Sequence, residues 1–155
     1  ELATENDSIA ETIAKLNLFT WVEFKLGNYK NAHNHNNDVL KMTEGENITA
    51  LINQAHLLLR KGEEIRSEDC LNKAENLRQS RQGEELMVDV EAELAYSLSR
   101  LGGDDNIISA IDMYTTVVTK KPKMYPWKFG LGLLHRRATH INVTMKNPTK
   151  MPVIE

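Results

Sequence analysis

The sequence predicts an all-α protein: a right-handed α-solenoid of helix–turn–helix repeats, three complete and a fourth partial. Three observations carry that expectation. The stretch Trp21-Val22-Glu23-Phe24-Lys25-Leu26-Gly27 returns as His56-Leu57-Leu58-Leu59-Arg60-Lys61-Gly62, and again as Tyr96-Ser97-Leu98-Ser99-Arg100-Leu101-Gly102. Gly27 and Gly62 stand 35 residues apart, and Gly62 and Gly102 stand 40 apart, with Gly103-Asp104-Asp105 reading as a small insertion. The segments between these marks keep the i, i+3, i+4 apolar rhythm of amphipathic helices. Finally, 8 Gly and 4 Pro in 155 residues suit long helices joined by short turns.

Each helix has a local reason. Ser8-Ile9-Ala10-Glu11 has the form of a capping box, and Ile13, Leu16, Phe19, Thr20 and Phe24 carry the first helix to about Leu26. Gly27-Asn28 turns the chain, and Tyr29, Ala32, Val39 and Leu40 mark a second helix to about Thr43. Asn47 reads as the N-cap of a third helix, from about Ile48 to Lys61, and a fourth follows from Glu63 to Arg78. Gly83 falls in the next break. The fifth and sixth helices then run from about Glu84 to Leu101 and from Asn106 to Thr119. Pro122 closes that unit, and Pro126 suits the first turn of a seventh helix, Trp127 to about His140. Asn147-Pro148 and Pro152 predict an extended tail over 141–155.

A period near 34 residues is that of a tetratricopeptide array, whose units bury their apolar faces only by stacking on neighbours. The repeat domain is expected over 8–140, with units at about 13–46, 48–82, 84–122 and 125–140. Thr20, Ala55, Ala95 and Gly132 occupy equivalent places in the first helix of each unit, and Ala32, Ser67 and Ala110 in the second. Small side chains there allow two helices to approach closely, so these are packing positions. A fourth unit without a second helix leaves an apolar face uncovered, which predicts further chain or self-association.

The candidate functional residues lie on the other side of the first helices. Trp21/Lys25, His56/Arg60, Tyr96/Arg100 and Leu133/Arg137 are i, i+4 pairs, each on one helix face. Stacking is expected to align Lys25, Arg60, Arg100 and Arg137 as a basic column beside an aromatic column of Trp21, His56 and Tyr96. Cations beside stacking surfaces are what an acidic peptide or single-stranded nucleic acid requires. A plainer role is also open, because a cation near a helix C-terminus complements the macrodipole.

Other chemistry is weakly represented. For a carboxylate-clamp groove of Lys, Asn and Arg, Asn53 fits the second unit, but Asn17 and Trp21 stand in the first, and in the third Asp89 and Glu93 replace two cations with acids that repel a peptide C-terminus. His33 and His35, two apart, point away from each other on a helix, and no metal or cofactor is expected. Cys70, the one cysteine, reads as a small near-core residue and fits a cytoplasmic chain. The acid pairs Glu63-Glu64, Glu84-Glu85 and Asp104-Asp105 fall at helix starts, where they suit the dipole. No Gly-rich phosphate loop or triad-like set appears, so no enzyme is expected. A net charge of -3 argues against a generally basic nucleic-acid binder, and no apolar run approaches the length of a membrane span.

Asn17-Leu18-Phe19-Thr20-Trp21, the Gly102-Gly103 insertion, Ala110, Tyr114, Val117 and Pro122, then Gly130 and Arg137, resemble the N-terminal third of the interferon-induced proteins with tetratricopeptide repeats, over most of residues 13–140. The resemblance implies an innate-immune binding module. In RNA-binding members a charged channel inside the solenoid holds the RNA 5′ end. It implies that the family's channel tryptophan falls on Tyr96, its lysine on Arg100 and its phosphate-contacting arginine on Arg137. The channel tyrosine falls on Asn106 or Ile107, which do not match, and the basic segment before the first repeat has no counterpart. Two functions follow as expectations for the groove of Trp21, Lys25, His56, Arg60, Tyr96, Arg100 and Arg137: a protein-interaction scaffold that holds a peptide or helix there, and binding of an RNA 5′ end or single-stranded RNA with Tyr96, Arg100 and Arg137 at the phosphates.

Overall fold

Seven helices, and no strand, make up the described residues of the computed structural model, which are 5–146, with side chains described over 9–139. They are α1 (Glu5–Lys25), α2 (Tyr29–Met42), α3 (Ile48–Arg60), α4 (Glu64–Gln79), α5 (Gly83–Leu101), α6 (Asp104–Lys120) and α7 (Tyr125–Lys146). The protein is therefore all-α, and internal ends fall within a residue or two of their sequence signals. Asn47 is the N-cap of α3, its Oδ1 accepting from the Ala50 amide at 2.8 Å.

The recurring glycine has a conformational cause. Gly62 has φ +78°, and the amide of Glu63 after it bonds back to the Leu58 carbonyl at 3.0 Å. That left-handed residue after a helix satisfies a carbonyl the helix would leave orphaned, and Gly27 does the same for α1. Gly83 differs from the sequence reading. It is the first residue of α5, and a Cβ there would lie 1.9 Å from the Arg78 carbonyl oxygen. Close approach of two backbones, not a flexible break, requires glycine at that position.

The outer boundaries also differ from expectation. α1 begins at Glu5, so positions 8 and 11, read as a capping box, fall within the helix and not at its start. α7 continues to Lys146, so residues 141–146 are helical where a tail was expected. The remaining positions of that tail, 147–155, and residues 1–4 lie outside the described residues.

The helices form two layers. α1, α5 and α7 contact one another and α3 contacts α1 and α5, whereas α2, α4 and α6 touch only their chain neighbours. Sequential helices pack most closely as the hairpins α1–α2, α3–α4 and α5–α6. α1 reaches beyond its neighbours to lie against α5 and α7 as well.

Packing follows the small residues. Thr20, Ala55 and Ala95 are buried, as are Ala32, Ser67 and Ala110. Ser67 donates through its hydroxyl to the Ala55 carbonyl at 2.8 Å, pinning α4 to α3. Around Ala95 and Ala110 stands the larger core, Val88, Ala92, Tyr114, Val117, Trp127 and Leu134, which joins α5, α6 and α7. A second cluster, Ile48, Leu51 and Ala74, joins α3 and α4. Gly132 departs from the pattern: it is exposed, and a Cβ there would meet nothing within 4 Å. No described helix covers that face of α7, so the crowding that demands a small residue is missing. Phe129 on the same helix is 70% exposed, consistent with the expected uncovered face.

These environments predict opposite outcomes. Ala95→Leu should overpack the core and cost about 1–3 kcal/mol, whereas Gly132→Ala should stabilise by up to about 1 kcal/mol through helix propensity. Urea denaturation of the two variants against the wild type measures both.

Candidate functional site

The seven predicted groove residues divide into two groups of three and one outlier. On α5 and α7, Tyr96, Arg100 and Arg137 line one cleft, together with Glu11 of α1. At the end of α1, Trp21 and Lys25 line another with His56 of α3. The two clefts share no lining residue. Arg60 belongs to neither. It lies 5.0 Å from the centroid of the Tyr29 ring and its Nε donates to the Tyr29 hydroxyl at 3.0 Å. The expected unbroken basic column is therefore interrupted at Arg60, because the first residue of α2 offers it an aromatic face.

Within each group the cations are already engaged. Lys25 sits 5.8 Å from the Trp21 ring centroid and Arg100 sits 5.1 Å from that of Tyr96. Pairs spaced i, i+4 thus meet each other across a helical turn, a contact worth about 0.5–1 kcal/mol at exposed sites. Arg137 donates from Nη1 to the Ser99 carbonyl at 3.2 Å, in the last turn of α5, where a cation suits the helix dipole. Beneath Tyr96, the Tyr114 ring would press a Cβ at position 130 at 3.3 Å, so Gly130 lets α7 close on α6 there. Burial pushes the Tyr114 hydroxyl up to about 12, with Tyr96 adding to the effect and Arg100 opposing it. The cavity left is about 100 Å³. That is small against the 300–1,000 Å³ or so typical of ligand sites.

The larger opening lies between α1, α3 and α5. It encloses about 450 Å³ and is walled by Leu18, Trp21, Ile52, Leu94, Leu98 and Leu101, with no Lys, Arg or His among its lining residues. Its apolar side chains remain open: Trp21 is 45% exposed, Ile52 38%, Leu94 46% and Leu101 51%. Only Trp21 of these was singled out from sequence. The signal for the others is in α5, where Leu94, Leu98 and Leu101 form an i, i+4, i+7 stripe beside the core stripe of Val88, Ala92 and Ala95.

Glu93 forms part of the wall of this cleft and is itself only 7% exposed. Asn17 of α1 donates through Nδ2 to Glu93 Oε2 at 3.0 Å and to Asn47 Oδ1 at 3.2 Å, and Asn47 donates to Glu93 Oε1 at 2.7 Å. Thr49 also bonds the carboxylate. Burial raises the Glu93 carboxyl above its ordinary value, reinforced by nearby Asp89, while these neutral donors act against the rise. Asp89 takes the available cation instead, pairing with Lys121 at 2.7 Å. None of the ion pairs among the described residues includes Glu93. Asn17 Oδ1 and Asn53 Nδ2, on the same cleft, are buried without hydrogen-bond partners.

Other candidates take ordinary places. Burial raises the Cys70 thiol, which disfavours the thiolate and suits a near-core residue. Burial, with Lys61 adding, lowers His33, and His35 packs with the Phe19 ring at 5.7 Å. Among the described residues no three His, Cys, Asp or Glu side chains are grouped to hold a metal, and no helix is long and apolar enough to cross a membrane. Comparison with known families, curated proteins and solved structures finds no match.

Glu93→Gln tests the cost of this buried carboxylate. The amide keeps an acceptor for Asn47 and, after rotation of the Asn17 amide, donates to the now unpartnered Asn17 oxygen. Above the ordinary glutamate value of 4.5 the unfolded chain ionises freely while the fold resists, so Glu93 weakens the fold as pH rises through that range. Glu93→Gln should therefore raise Tm at pH 7, by roughly 2–4 °C for each 1 kcal/mol regained. Thermal melts across pH should show the gain shrinking as pH falls below the ordinary value.

Proposed function

We propose that this chain is a tetratricopeptide-type α-solenoid, of three repeats and a partial fourth, that acts as a protein-interaction module. Its partner is an amphipathic helical segment laid into the cleft between α1, α3 and α5. One observation carries the reading: an opening of about 450 Å³ whose walls keep Trp21, Ile52, Leu94 and Leu101 more than one third exposed. Apolar surface held open in a concave wall is what a helix-in-groove interface covers, through anchors at i, i+3, i+4 and i+7. The recurring glycine turns and the two-layer helix contacts support the repeat reading. A cytoplasmic, non-catalytic role fits the single thiol and the absence of a catalytic arrangement in the sequence.

RNA binding is the second reading, favoured by one specific observation: Tyr96, Arg100 and Arg137 line one cleft. Against it stand the small volume, the acidic Glu11 in the same lining, and the engagement of both arginines with protein groups.

A helical peptide drawn from an amphipathic-helix library should shift Trp21 emission to shorter wavelength on binding. Leu94→Arg and Ile52→Arg should each weaken it by about tenfold or more, with unchanged circular dichroism. A 5′-triphosphate single-stranded RNA, titrated at about 50 and 200 mM salt, should bind weakly at both. Tight, salt-sensitive RNA binding lost in the Arg100→Ala/Arg137→Ala double variant would favour the second reading instead.

A further inference from the structure

Glu93 is a poor choice for a purely structural position. Its hydrogen bonds come from uncharged donors, Asn17, Asn47 and Thr49, and Lys121, the cation nearby in the fold, is committed to Asp89 and Glu85. A glutamine would meet the same amides without a buried charge. A desolvated carboxylate left uncompensated in a cleft is a group awaiting a counter-charge. Asn17 Oδ1, buried on the same cleft without a partner, is a second acceptor and an independent mark of an unfilled position. Glu93 lacks a charged partner and Asn17 Oδ1 lacks a donor, and most of the wall around them is apolar.

We propose that the helix taken by this cleft carries a lysine or arginine within its apolar face, whose cationic head seats against Glu93 and Asn17 Oδ1. The inference rests on the groove reading above and adds the chemistry of its partner. A lysine or arginine side chain has the required form: an apolar stem that lies along Leu94, Leu98 and Ile52, ending in a cation with several donors. No competing basic residue lines the cleft, so nothing repels the incoming charge. A metal ion is a weaker occupant, since no three His, Cys, Asp or Glu side chains among the described residues are grouped for one.

The experiment selects a displayed library of amphipathic 16-residue helices against the wild-type protein and against Glu93→Gln. Wild type should enrich apolar residues at i, i+3, i+4 and i+7, with lysine or arginine at one position of that face. Glu93→Gln should keep the apolar enrichment and lose the cation. One enriched peptide is then labelled with fluorescein and made with its lysine and with norleucine. On wild type, norleucine should weaken binding about tenfold or more. On Glu93→Gln, the lysine peptide should fall to the level of the norleucine one. The norleucine comparison uses unaltered protein, so it stands even if the variant folds poorly. Apolar enrichment without a cation, or equal binding of the two peptides to wild type, overturns the inference and leaves the groove reading intact. Failure to enrich any amphipathic helix overturns both. Displacement of the labelled peptide by single-stranded RNA would assign the cleft to nucleic acid and also overturn it.

Discussion

The buried contact between Glu93 and the two asparagines is the interaction on which the inner layer turns. Asn17 and Glu93 are 76 residues apart and Asn47 stands between them in sequence, so one carboxylate links α1, the start of α3 and the middle of α5. Their hydrogen bonds tie α1 to the start of α3 and the middle of α5, which fixes how α1 lies across its neighbours. Apolar packing alone tolerates sliding; a buried polar network does not, because each misplaced donor costs about 1–3 kcal/mol. The cleft between α1, α3 and α5 inherits its shape from this anchor.

Local structure was legible because its causes are local. Asn47 reaches only three residues to its amide, and the turn at Gly62 is decided by the sign of one dihedral. Ala55, Ala95 and Ala110 were recognisable as packing positions because small residues recur at matching places in the sequence period. Gly132 broke that logic, since its expected neighbour is not among the described helices. Gly83 was misread because its constraint is a carbonyl across a turn, invisible to composition. The start of α1 was misplaced because a serine inside a helix and one at its start look alike in sequence, and the end of α7 because a proline at 148 does not fix how close to it a helix runs.

The site was less legible than the fold. Sequence register brought Tyr96, Arg100 and Arg137 to one cleft, and Trp21, Lys25 and His56 to another, as i, i+4 spacing and stacking imply. It could not foresee that Tyr29 would draw Arg60 aside, because that contact depends on how one hairpin leans on the next. Glu93 was legible only as an acid in a position unsuited to a peptide carboxylate. Its burial arises from α1 crossing over α5, a tertiary event with no periodic signature. The apolar cleft was hidden for a related reason: Leu94 and Leu101 look like core residues until the number of helices available to cover them is known.

The reach of α1 to α5 and α7 also bears on how the chain comes apart. In a linear helical array each unit holds only the next, so ends fray singly and melting spreads inward. Here α1 lies against α5 and α7 as well as its own hairpin partner, which ties the described helices into one unit. Loosening α7 sacrifices contacts of α1 and the reverse, so the seven described helices should melt as one cooperative unit, with slow amide exchange shared between α1 and α7.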